Sequence, residues 1–101
     1  MKKISLSEAT KVPHDLEGYI IHSSSTLEVI HLCVKPGQVI AQHPNPADVV
    51  VSIVSGEVYL NMGDIDTRLT LYDVAEIEKN ANRGFTNKGT SDARLIIMKK
   101  I

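Results

Sequence analysis

The chain has no tryptophan, one phenylalanine and three tyrosines among its 101 residues, so aromatic side chains cannot fill its core. Valine, isoleucine and leucine must do so, and such residues favour strands. Cysteine is nearly absent as well. Cys33 stands alone, which excludes an intramolecular disulfide and a Cys-x-x-Cys redox or zinc motif and predicts a buried free thiol. No charge of one sign dominates: eleven basic against twelve acidic residues leave a net charge of −1, without the basic surplus that neutralises phosphates in nucleic-acid-binding proteins. No run approaches the ~18 apolar residues that a membrane helix needs. Met1-Lys2-Lys3 imitates the start of a signal peptide, but Ser5, Ser7, Glu8, Thr10 and Lys11 interrupt the apolar stretch that would have to follow. The expectation is a cytoplasmic protein that binds neither nucleic acid nor membrane.

What is present is a series of short apolar runs separated by turn chemistry, with no convincing helical period. The runs predict an all-β chain with strands at Glu17 to His22, Thr26 to Val34, Val49 to Val54, Glu57 to Asn61, Asp66 to Leu71, Val74 to Glu78, Arg83 to Asn87 and Ala93 to Lys99. Between them stand Pro36-Gly37, Ser55-Gly56, Gly63-Asp64, Asn80 and Gly89, all turn formers. Gly56 and Gly89 are positions where a positive φ would be tolerated. Pro44 and Pro46 withhold backbone donors and push their preceding residues towards extended geometry, which predicts a loop or strand edge there. Many short strands at close spacing indicate an antiparallel barrel or sandwich. The polar stretch 1–13 is expected as an N-terminal extension able to pair with a partner subunit, and 14–101 as a single barrel domain.

The alternation assigns faces. Ser52 marks the wetter side of its strand, which sends Val49, Val51 and Ile53 inwards. Phe85 is the clear core residue of its strand, so Arg83 and Asn87 share its inward face. An inward guanidinium needs a partner, because an unpaired buried charge is costly. Glu76, Glu78, Asp48 or a bound anion are the expected partners, against the plainer alternative of an arginine reaching to the rim with its head in water.

Pro36-Gly37-Gln38-Val39-Ile40-Ala41-Gln42-His43-Pro44-Asn45, followed by Asp48 and Ser55-Gly56-Glu57-Val58, resembles the first cupin motif, G-x5-H-x-H-x3,4-E-x6-G, with Gly37, His43 and Gly56 in place. Tyr72-Asp73-Val74 through Arg83, Asn87 and Gly89 resembles the second, G-x5-P-x-G-x2-H-x3-N, with Asp73 and Asn87 in place. The resemblance spans about residues 27 to 98 and implies an antiparallel, jelly-roll-like double-stranded β-helix. It also implies a homodimer, formed by packing sheets or by exchanging an N-terminal strand. Where cupins carry their metal ligands, this chain reads His43, Asn45, Val49 and Arg83. An amide is a poor ligand and a guanidinium none, so the resemblance comes with a degenerate metal site and no expected cofactor. Asp48 lies one residue before the glutamate position, and a one-residue shift on a strand faces the other way.

His43, Asn45 and Arg83 are therefore the candidate ligand-binding residues, a cluster of donors at the barrel mouth suited to an anionic small molecule such as a small carboxylate or sugar acid. Alone, His43 reads as a hydrogen-bonded structural histidine or a weak metal candidate. A rival reading is a metal-dependent cupin enzyme, a dioxygenase, isomerase or decarboxylase, holding a divalent transition metal through His43 with Asn45, His31 or Asp48. A third is a structural or regulatory barrel whose pocket is filled by its own side chains. His31 and Cys33 share a strand face and are expected to pack. His14 and His22 flank turns without a constellation, and Lys99-Lys100 reads as a solvated chain end. No catalytic constellation stands out.

Overall fold

The computed structural model describes residues 1–12 and 15–101, and these form ten strands and one short 3-10 turn at Leu6–Glu8. The strands are β1 (Thr10–Lys11), β2 (Glu17–Ser23), β3 (Leu27–Val34), β4 (Val39–His43), β5 (Asp48–Ser55), β6 (Val58–Met62), β7 (Ile65–Leu69), β8 (Val74–Ile77), β9 (Arg83–Thr86) and β10 (Ala93–Lys100). All eight expected strands are present, with ends displaced by one or two residues. The two that the alternation missed are edge strands. In β4 only Ile40 is buried, and a register break separates Ile40 from His43, so no period of two survives. The two-residue β1 is exposed throughout.

Two antiparallel sheets face each other, one in the order β1-β2-β3-β10-β5-β8 and the other β4-β9-β6-β7. Their inner faces supply a core of Ile, Leu and Val with Phe85 as its aromatic residue, and Val49, Val51 and Ile53 are inward as the alternation requires. The interior is layered by cross-strand register. On β3 and β10, Val34 opposes Ala93 at the closed end, then Leu32 opposes Leu95, Ile30 opposes Ile97, and Glu28 opposes Lys99 at the other end. On the facing sheet, Ile40 opposes Phe85 and His43 opposes Arg83.

The closed end is fastened by Asn87, which is 1% exposed. Its Nδ2 donates to the carbonyls of Val34 and Ser91, both at 2.9 Å, and its Oδ1 accepts the Gly89 amide at 2.9 Å. Gly56 has the expected positive φ, 71°. Gly89 does not belong to the positive-φ residues; its role is the amide it gives to Asn87. Thr10 and Lys11 pair with Ile20 and Tyr19 of their own chain. Among the described residues no helix is long and apolar enough to cross a membrane.

Candidate functional site

The layering leaves one end of the barrel open. A cavity of about 410 Å³ enters there, lined by Val12, Leu16, Ile20, Glu28, Ile30, Leu32, Ile40, His43, Asn45, Arg83, Phe85, Ile97 and Lys99. The structure brings His43, Asn45 and Arg83 together on this one cavity, His43 and Arg83 as a directly opposed strand pair.

Arg83 is 6% exposed, so its side chain is largely buried and does not stand free in water beyond the rim. Nor does it meet an expected acid. Asp48 turns its Oδ1 to the Lys79 amide at 2.9 Å, Glu76 stands opposite Val50 on the outer face, and Glu78 shares a shallow outer depression with both. The partner that Arg83 does have is a backbone group: Nη1 donates to the His43 carbonyl at 3.1 Å. Burial pushes its pKa below the ordinary arginine value, the signature of a charge short of solvation. No buried side-chain polar atom among the described residues is left without a partner. The remaining guanidinium donors therefore open onto the cavity.

His43 Nδ1 lies 3.0 Å from the Ala41 carbonyl. A carbonyl only accepts, so Nδ1 is the donor in this contact and Nε2 is the ring nitrogen left for other partners. Asn45 accepts the Ala47 amide through Oδ1 at 3.0 Å, which orients the side chain and leaves its NH2 group as the donor. The expected metal partners do not gather here. His31 is on the outer face of β3, where its Nε2 lies 3.2 Å from Arg94 Nη1. Val49 occupies the inward position beside Asp48 and is 3% exposed. Among the described residues no three His, Cys, Asp or Glu side chains cluster closely enough to hold a metal ion. One imidazole, one amide, a valine and a guanidinium do not fit a divalent transition metal.

Two cavity residues escaped the sequence reading. Lys99 is not a solvated chain end: its Nζ stands 3.8 Å from Glu28 Oε1, with both side chains about a quarter exposed, at 23% and 27%. The signal was available in the alternation Leu95, Ile97, Lys99 on β10 and Leu32, Ile30, Glu28 on β3. Cys33 is fully buried, and burial raises its thiol pKa, as an inert thiol requires. His22 is exposed in β2, and His14 lies outside the described residues.

No protein-family model matches the chain, and no curated protein matches it. Solved structures do. An uncharacterized conserved protein with a double-stranded β-helix domain from Klebsiella pneumoniae is 21% identical, with a TM-score of 0.84 over 99% of this chain and 90% of that one. The polyketide cyclase RemF from Streptomyces resistomycificus is 12% identical, with a TM-score of 0.87 over 99% of this chain and 79% of that one. A cupin superfamily protein from Desulfitobacterium hafniense is 14% identical, with a TM-score of 0.78 over 95% and 86%. With two facing antiparallel sheets, a closed end pinned by Asn87 and an open end carrying His43 and Arg83, the chain has the fold of a small cupin, the double-stranded β-helix.

Proposed function

We propose that this chain is a cytoplasmic small-molecule-binding cupin-fold protein that takes an anionic ligand, a small carboxylate, at the open end of the barrel without a metal. The observation that carries this reading is Arg83: a buried cation with no carboxylate partner among the described residues, held by a carbonyl and open to a cavity. Guanidinium binds a carboxylate through two parallel charge-assisted hydrogen bonds, and an anion there would supply the solvation that burial removes. Asn45 adds an amide donor. The size of the cavity falls within the roughly 300–1,000 Å³ of small-ligand pockets.

The same reading includes a homodimer. Support comes from the outer face of the six-stranded sheet, where register places Val29, Val50, Ile96 and Met98 side by side, and Val74 and Val54 are 61% and 44% exposed. Contiguous apolar surface of this kind marks association. Analytical ultracentrifugation of wild-type and Ile96→Glu protein tests it, with a dimer converted to a monomer as the expected result.

Metal analysis of protein purified without chelators, together with thermal shift in a panel of small carboxylates, tests the ligand reading. Metal-free protein stabilised by a carboxylate, with the stabilisation lost in Arg83→Ala, is expected. Near-stoichiometric metal would instead favour a metal-dependent enzyme, and unchanged stabilisation in Arg83→Ala would remove the anion site.

A further inference from the structure

We infer that the ligand is an amphipathic monocarboxylate, its carboxylate at Arg83 and an apolar body lying deeper in the barrel, and not a sugar acid. This rests on the proposed anion site and assigns what lies beneath it. Polar side chains lining the cavity are confined to its open end: His43, Asn45, Arg83, Glu28 and Lys99. Below them, register brings Ile30 against Ile97 and Ile40 against Phe85, and Leu32 and Ile20 complete the wall. The next polar side chain on that path, Asn87, is fully buried and has its amide committed to Val34, Ser91 and Gly89.

A sugar acid carries hydroxyls around its whole ring. Seated in this cavity, those below the rim would leave water for isoleucine, leucine and phenylalanine. Each hydroxyl left without a partner lowers affinity by about tenfold. A methylene in the same place raises it by about fourfold. Charge selects the head group. Glu28 and Lys99 pair with each other, so the rim has one uncompensated cation, Arg83, which matches one carboxylate in preference to a di-anion.

Isothermal titration of the full chain with octanoate, octan-1-ol and galacturonate tests this, on wild type, Arg83→Gln and Leu16→Asn, with circular dichroism confirming that each variant folds. Leu16 lines the cavity but lies outside every strand, so its substitution spares the sheets. Octanoate is expected to bind at least about tenfold tighter than galacturonate. Arg83→Gln should weaken octanoate by about tenfold or more and leave octanol unchanged. Leu16→Asn should weaken octanoate by about fivefold without affecting galacturonate. Galacturonate binding as tightly as octanoate, in an Arg83-dependent way, would overturn the apolar-body inference and keep the anion site. Equal binding of octanoate and octanol, indifferent to Arg83→Gln, would overturn the anion site itself. No binding of either carboxylate would overturn both.

Discussion

Arg83 Nη1 donates to the backbone carbonyl of His43 at 3.1 Å, and the same two residues stand opposite each other in the ladder between β4 and β9. The cation is thus fixed by main chain and not by an acid. Holding a desolvated guanidinium with one neutral acceptor is a poor way to stabilise a fold, and replacing such a charge by an apolar side chain of similar length is often neutral or stabilising. Arg83→Met is expected to leave the urea midpoint unchanged or raise stability by about 1 kcal/mol, while abolishing stabilisation by carboxylates. A loss of several kcal/mol in the ligand-free protein would make Arg83 a structural residue.

Gly84 lets that pair form. A Cβ built there collides with the Ile40 carbonyl oxygen and comes within 2.9 Å of the Gln42 amide nitrogen. Both are backbone atoms of β4, so relief requires that the strand move away from β9 and take His43 with it. Gly84→Ala is expected to destabilise by about 1–3 kcal/mol in urea denaturation and to weaken carboxylate binding although it touches no ligand. Wild-type stability would mean that β4 is only loosely held to the sheet.

Asn87 serves the opposite end. Its three hydrogen bonds tie β3 and the loop before β10 to the end of β9. Asn87→Ala would leave a buried carbonyl and a buried amide without partners and open a void, at a cost of about 2–4 kcal/mol. Asn87→Asp should be worse at neutral pH, because a carboxylate would face two carbonyls. Equilibrium denaturation of both variants ranks them, and Asp equal to Asn would break the assignment of the amide as donor.

Much of this was legible in sequence because β5 and β9 obey alternation. Ser52 among valines sets the register of β5, and Phe85 sets that of β9, which is enough to turn Arg83 and Asn87 inwards. The partner of Arg83 was not legible. The acids expected as partners, Glu76, Glu78 and Asp48, point outwards, and the real acceptor is a backbone carbonyl, a kind of group that has no sequence signal. β4 escaped because one buried residue and a register break give no period. Lys99 was hidden by its position at a chain end, where a lysine pair reads as solvated, although its alternation with Leu95 and Ile97 already placed it inwards.

His31 sits on the outer face of β3 with its Nε2 3.2 Å from Arg94 Nη1. Burial first, and the Arg94 charge second, hold its pKa below the ordinary histidine value of 6.5. The neutral ring is the one that accepts from the guanidinium. A histidine whose folded pKa is depressed contributes stability that is complete above 6.5 and is lost as pH falls from there through the folded value. Stability of the wild type should therefore drop on acidification below 6.5, before the carboxylate range, and His31→Gln should flatten that part of the profile. Urea denaturation at half-unit pH steps reads this directly. Identical profiles would mean that another group titrates in that window.

Glu28 and Lys99 stand side by side on neighbouring strands at the cavity mouth, 3.8 Å apart, too far for an ideal hydrogen-bonded pair and still partly accessible to water, so they add little stability. Their importance is to the potential at Arg83. With both present they cancel; with Glu28 neutralised, Lys99 adds a second positive charge to the rim. Glu28→Gln is expected to change stability by less than about 0.5 kcal/mol and to tighten carboxylate binding by about threefold to tenfold at low salt, an advantage that fades as ionic strength rises. Lys99→Gln should do the reverse by leaving Glu28 to repel the ligand. Titration calorimetry at two salt concentrations distinguishes this field effect from a direct contact. A direct contact would persist at high salt, whereas a field effect from partly exposed charges would not.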